Sequence, residues 1–193
     1  MLGNTNTFFT KEECDEIAAY CEKIGIMFNH GVAIINPWDN RKIHNDNFKE
    51  RILKRYKEVF GNDTSIPFNV NELTIDNIYL TLTRYFDGRF LETHKDTSSD
   101  LTTVIVLTED FEDGRFILSE DDVKIEGNIV DEKHLNHINK GDGLTFYGGS
   151  IYHGVLPVHK GIRKSLNIWV NPNSFRMNVG DKDLITKTKK TFL

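Results

Sequence analysis

The chain has 193 residues, 38% of them hydrophobic and 27% charged, with a formal net charge of -5 and a pI near 5.8. That size supports one domain whose core needs no disulfide or metal staple. The acidic balance excludes a general attraction to phosphate backbones or anionic lipid, and no run approaches the roughly 18 apolar residues of a membrane helix. The opening MLGNTNTFF lacks the basic-then-apolar order of a signal peptide, and the two cysteines, Cys14 and Cys21, have a helical packing spacing. A cytoplasmic protein without a nucleic-acid or membrane partner is therefore expected.

Thr10 and Glu13 make a capping box, and Ile17, Ala18, Cys21 and Ile24 recur at helical spacing until Gly25, which predicts a helix over 11–24. The stretch Asn29 to Asn47 has no such period. Within it Gly31 to Asn36 reads as an edge strand and Trp38-Asp39-Asn40-Arg41 as a turn, and its length suits a lid in which Trp38 and Arg41 could hold a peptide. From Phe48 to Phe60, Ile52, Leu53, Tyr56, Val59 and Phe60 share one stripe that ends at Gly61-Asn62-Asp63, a second helix suited to packing on a sheet.

Beyond about residue 76 the texture changes to short runs of Val, Ile, Leu, Thr and aromatics between Gly and Asp turns. Strands are predicted at Ile78 to Phe86, Phe90 to His94, Leu101 to Leu107, Phe116 to Leu118, Gly143 to Phe146, Ile151 to Pro157 and Arg163 to Val170. With no helical pattern between them, they suggest a sandwich or barrel. Ser119 to Lys140 reads as a second long irregular segment, and Lys187, Lys189 and Lys190 as a solvated tail. The expected organisation is one domain over 1–193: helical support to about residue 72, a β core over about 76–171 and an extension from 172.

His94-Lys95-Asp96 places an imidazole and a carboxylate two residues apart at a strand end, where such side chains face the same way. Alone, that tripeptide is a weak signal. A third ligand is required, and His153, which follows Gly148-Gly149 in an ordered, partly apolar strand, is the best placed of the other histidines. Two imidazoles and one carboxylate leave adjacent metal positions open, unlike a four-ligand structural zinc site. Arg163, ten residues after His153, begins an alternation of Arg163, Ser165, Asn167 and Trp169 against Lys164, Leu166 and Ile168, and one of those faces must line the barrel. A lone arginine is more often on the surface. Inside a barrel it is costly unless it meets an anion, and its planar fork suits a dicarboxylate.

The run RYFDGRFLETHKD resembles the segment of the prolyl 4-hydroxylase-like branch of Fe(II)- and 2-oxoglutarate-dependent oxygenases in which a tyrosine, a glycine and an aromatic precede H-x-D. GDGLTFYGGSIYHGVLPVHKGIRKSLNIWV resembles the last strands of the same family, so the likeness spans about residues 76 to 171. It implies a double-stranded β-helix, a jelly-roll or cupin-like core of a mainly β, α+β protein, with N-terminal helices packed on one sheet. It implies Fe(II) on His94, Asp96 and His153, and 2-oxoglutarate paired through its 5-carboxylate with Arg163. Tyr85, Asn167 and Trp169 match positions near the cosubstrate and metal. The implied reaction takes O2, with ascorbate as a candidate reductant, hydroxylates a substrate carbon and converts 2-oxoglutarate to succinate and carbon dioxide.

The expected substrate is a prolyl residue of a peptide or protein, with a free amino acid or other small molecule as the alternative. A cupin-like metal-binding module without turnover is the alternative of another class. Asp96 disfavours a halogenase, whose halide replaces the carboxylate. Where relatives carry Gly-Gly after the third strand this chain has Asp113-Gly114, which implies a changed turn. Where relatives acting on alkylated nucleic acids carry a second arginine it has Trp169. A collagen substrate is disfavoured, since collagen-type members are secreted and carry extra domains. His134 and His137 read as a solvated segment, and no nucleophile elbow, phosphate loop or calcium loop is found.

Overall fold

The computed structural model describes residues 3–27, 39–97, 99–125 and 130–173. Helix α1 (Lys11–Ile24) begins at the capping box: the Thr10 hydroxyl accepts the Glu13 N–H while the Glu13 carboxylate accepts the Thr10 N–H. Two orphan donors of the first turn are thereby satisfied. Helix α2 (Asp46–Phe60) starts ahead of its apolar stripe because Asn45 accepts the Phe48 N–H as N-cap.

The strands are β1 (Asn4–Thr7), β2 (Ile26–Met27), β3 (Asp39–Ile43), β4 (Ile78–Tyr85), β5 (Leu91–His94), β6 (Leu101–Val106), β7 (Phe111–Asp113), β8 (Phe116–Ser119), β9 (Leu135–Asn136), β10 (Asp142–Phe146), β11 (Tyr152–Val155), β12 (Val158–Gly161) and β13 (Arg163–Val170). A large antiparallel sheet runs β1-β10-β6-β13-β4-β3-β2, and a smaller one runs β5-β11-β8-β9; β12 pairs with β7. Tyr85, Val104, Val106, Phe116, Leu144, Phe146 and Val155 come from both sheets into one buried cluster, so the sheets face each other as a jelly roll. The opposite face of the large sheet, with Leu80, Leu82, Ile105, Leu166, Ile168 and Val170, packs on Ile17 and Cys21 of α1 and on Ile52 and Tyr56 of α2. A third cluster of Ile117, Ile125, Val130 and Leu156 lies apart from the barrel interior. This is the mainly β architecture with supporting helices that the sequence implies.

Several local expectations are corrected. Asp39 to Arg41 is not a turn but part of β3, because β4 offers it a paired edge from Asp39 opposite Arg84 to Ile43 opposite Leu80; tertiary pairing overrides turn-forming residue types. Arg41 donates to the Glu22 carbonyl at 2.7 Å, on the side of α1. The strand expected over Ile151 to Pro157 is shorter, ending with β11 at Val155, the strand β12 follows it without having been expected, and the stretch 119–140 contains β9, which pairs with β8. The expected strand Gly31 to Asn36, Trp38 and the C-terminal lysines lie outside the described residues. Among the described residues no helix is long and apolar enough to cross a membrane.

Both cysteines are free and buried, and burial pushes the Cys14 thiol up to about 11 and the Cys21 thiol up to about 12. Thiolate, the reactive form, is therefore scarce at pH 8. Neither cysteine of the native protein should react with a disulfide reagent at that pH, and both should react in denaturant; native labelling at pH 8 would contradict their burial.

Candidate active site

Pairing of β11 with β5 sets His153 directly opposite His94, with ring centroids 4.3 Å apart. Each ring is tied to its own strand. His94 Nδ1 donates to the Glu92 carbonyl at 3.0 Å, and His153 Nδ1 donates to the Ile151 carbonyl at 3.1 Å. Carbonyls only accept, so both imidazoles are held as Nδ1–H tautomers with their Nε2 lone pairs left for a cation. Phe146, at 4.7 Å between centroids, and Phe116 pack the His153 ring, whose side chain is 5% exposed against 40% for His94.

Asp96 lies beyond the end of β5, so the strand pleat does not aim it. Its N–H donates to the Gly148 carbonyl at 2.9 Å, and its Oδ1 stands 3.8 Å from His94 Nε2 and 3.6 Å from His153 Nε2. Oδ2 accepts from Trp169 Nε1 at 2.9 Å, from Ser99 Oγ at 3.1 Å and from Thr102 Oγ1. Burial pushes the Asp96 carboxyl up, but the adjacent His153, the Thr102 hydroxyl and the His94 ring outweigh it and hold it at about 2. Burial, then the neighbouring His153, draws the His94 imidazole below its ordinary value. Near neutral pH the carboxylate is ionised and His94 uncharged, the forms that bind a metal. With one ligand atom from each residue, all within 4.8 Å of one another, the set fits an Fe(II) ion and leaves part of its coordination sphere open.

At the other end of the interior face, Arg163 sits opposite Tyr85 across β13 and β4. It is 2% exposed, and its guanidinium lies 5.8 Å from the Tyr85 ring centre and donates to Ser165 Oγ at 3.3 Å. No carboxylate among the described residues pairs with it. Burial lowers the guanidinium to about 10, which keeps it charged at neutral pH, and burial raises the Tyr85 hydroxyl. Asn167, between Arg163 and Trp169 on the same face, donates through Nδ2 to Thr83 Oγ1, while its Oδ1 is buried without a partner.

The seven residues singled out in the sequence thus fall into two groups along one interior. His94, Asp96, His153 and Trp169 gather at one end, Arg163 and Tyr85 at the other, with Asn167 between. Sequence reasoning missed Ser99 and Thr102 on Asp96, and the close packing around Gly114 and Gly148. The β6 alternation, which turns Thr102 inward beside Val104 and Val106, was the available signal for one of them. Gly114 follows Asp113, both with positive φ, at 64° and 67°; an added Cβ would stand 2.6 Å from Val158 Cγ2 and 3.1 Å from Arg163 Cδ. The changed turn therefore abuts the buried arginine. His134 and His137 join no group of three potential ligands among the described residues.

An antiparallel jelly roll with two histidines and one carboxylate at its mouth and a buried arginine deeper inside defines the class of non-haem iron oxygenases. The sequence profile of the 2OG-Fe(II) oxygenase superfamily matches residues 80–171. No curated protein matches the chain in sequence. Among solved structures it is similar to a Pseudomonas putida prolyl-4-hydroxylase, at 18% identity and a TM-score of 0.59 over 88% of this chain and 92% of that one. It is similar to the viral collagen prolyl hydroxylase of Paramecium Bursaria Chlorella virus-1 in its 2OG complex, at 16% identity and 0.62 over 88% and 96%. A Trichoplax adhaerens prolyl hydroxylase in complex with a hypoxia inducible factor peptide fragment gives 13% and 0.61 over 89% and 84%. At these identities the likeness is one of fold. Over residues 80–171 the chain carries the sequence pattern of the 2OG-Fe(II) oxygenase superfamily, and its fold is of the prolyl 4-hydroxylase-like type. It is a 2-oxoglutarate-dependent dioxygenase that uses Fe(II).

Gly114→Ala should lower stability by at least about 1–2 kcal/mol, the cost of a left-handed position for a residue with a Cβ, with crowding against Val158 added to it. Urea denaturation measures this, and an unchanged midpoint would contradict the packing described.

Proposed function

We propose that the chain hydroxylates a prolyl residue of a peptide or protein, with Fe(II) on His94, Asp96 and His153 and the 5-carboxylate of 2-oxoglutarate on Arg163. The observation that carries this reading is Arg163 itself, a buried cation that no carboxylate among the described residues neutralises. A charge in that position is costly without an anion, and a dicarboxylate that reaches from the His–Asp–His set into the barrel supplies one.

Bound Fe(II), with 2-oxoglutarate and O2, supplies the oxidising power that places one oxygen atom in a substrate C–H bond and the other in succinate. The chain's own residues prepare the place. The Glu92 and Ile151 carbonyls hold the two imidazoles in ligand tautomers, while Phe116 and Phe146 keep water from the His153 side. Exchange of oxygen and nitrogen in the Asn167 amide lets the Thr81 and Thr83 hydroxyls donate to Oδ1 and turns Nδ2 toward the cosubstrate's path, which removes the orphaned acceptor. Tyr85, kept protonated by burial, flanks the arginine. We read the described residues as one catalytic domain, α1 and α2 supporting the large sheet.

A peptide substrate is favoured by the open His94 flank, which leaves an extended chain room to cross the mouth. The fold neighbours add support, one being a prolyl hydroxylase held with a peptide fragment. The test is 2-oxoglutarate turnover with Fe(II) in air against proline-containing peptides, free amino acids and nucleotides, with mass spectrometry for a gain of one oxygen. Peptide hydroxylation at proline is expected; turnover of a free amino acid alone would overturn the peptide reading. His94→Ala and Asp96→Ala should form no succinate. Arg163→Ala should raise the 2-oxoglutarate KM about ten- to a hundredfold, as for a lost charge-assisted hydrogen bond of about 1.5–3 kcal/mol. A wild-type KM in that variant would remove the arginine from the cosubstrate site.

A further inference from the structure

The two oxygens of Asp96 are treated unequally. Oδ1 faces the two imidazole Nε2 atoms, whereas Oδ2 faces Trp169 Nε1, Thr102 Oγ1 and Ser99 Oγ. Ser99 and Thr102 also touch each other at 2.8 Å, so two hydroxyl protons serve three contacts. Ser99 therefore either donates to Oδ2 directly or donates to Thr102 and strengthens the Thr102 bond to Oδ2. In both arrangements the indole and at least one hydroxyl occupy the lone pairs of Oδ2.

Gly148 makes room for this arrangement. A Cβ there would stand 2.8 Å from Ser99 Oγ and closer still to Thr102 Oγ1 and Asp96 Oδ2. Any side chain at this position would push the donors off the carboxylate or rotate it. The Gly148 carbonyl meanwhile accepts the Asp96 N–H at 2.9 Å, so one glycine fixes the main chain of Asp96 and leaves the space its side chain needs. Trp169 is fixed in turn, since its ring packs on Tyr79 with centroids 5.4 Å apart.

We propose that Trp169, Thr102 and Ser99, admitted by Gly148, lock Asp96 as a one-oxygen ligand and so preserve the metal position that 2-oxoglutarate needs. This rests on the oxygenase reading above. A carboxylate without such donors can close on an ion with both oxygens, and the second oxygen then occupies a position that a chelating cosubstrate would use. Oδ2 engaged by an indole N–H and a hydroxyl cannot turn inward without leaving buried donors unpaired. The four are positioning residues, acting through Asp96.

The experiment is anaerobic titration of the full chain with Co(II), whose visible absorption reports its coordination, followed by 2-oxoglutarate. Thr102→Val and the pair Ser99→Ala with Thr102→Val keep the volume of the site nearly intact. The double variant should bind Co(II) at least as tightly as wild type and show an altered visible band before cosubstrate is added. Its Kd for 2-oxoglutarate should rise about tenfold, the scale on which outer partners of a metal ligand act. Thr102→Ser should restore both. An unchanged 2-oxoglutarate Kd in a variant that binds Co(II) overturns the proposal. Parallel loss of Co(II) and 2-oxoglutarate affinity overturns it too, by marking the donors as ordinary supports of metal binding. Failure of the wild-type chain to bind Co(II) would instead sink the oxygenase reading beneath it.

Discussion

Strand β13 is hydrogen-bonded on both sides, to β4 over its whole length and to β6 from Ser165 to Val170, and the rest of the molecule depends on that double pairing. Its side chains alternate between two environments. Leu166, Ile168 and Val170 are buried under the helices, at about 1.5–3 kcal/mol for each fully buried side chain, while Arg163, Asn167 and Trp169 point into the barrel. A slip of one residue would exchange the faces, placing an arginine under the helices and apolar side chains where Arg163, Asn167 and Trp169 now stand. Hydrophobic burial on one side of the sheet therefore fixes the position of the chemistry on the other.

The second sheet contributes the imidazoles, and the two sheets meet at a carboxylate. Asp96 follows β5 in the small sheet, yet its Oδ2 is held by Trp169 and Thr102 from the large one. The site is thus built across the facing sheets, and its geometry inherits the rigidity of both. Thr102 and Trp169 are themselves opposite partners in the pairing of β6 with β13, so the two firm donors move as one piece.

How much of this the sequence discloses depends on how local the cause is. The capping box of Thr10 and Glu13, the stripe of α2 and the alternation from Arg163 to Val170 are local patterns, and they are legible. β3 is not: Asp-Asn-Arg-Lys-Ile has the composition of a turn and is a strand only because β4 lies beside it. β1, with the sequence Asn-Thr-Asn-Thr, exists in the same way through β10. In the site, His94, Asp96 and His153 announce themselves by their chemistry and Arg163 by its distance from His153. Ser99, Thr102 and Gly148 carry no such mark. Hydroxyls and glycines are common, and these matter only because the chain after Asp96 and the chain after β10 return to the same point.

The unequal exposure of the two imidazoles gives the site a direction. His153 is walled by Phe116 and Phe146, whereas 40% of the His94 side chain is open to solvent. Phe116 and Phe146, which wall His153, belong to one of the three buried apolar clusters. An ion held by the three residues would thus be reached from the β5 side, where the His94 flank is open. A chelator or a competing divalent metal would come to it along that same open flank.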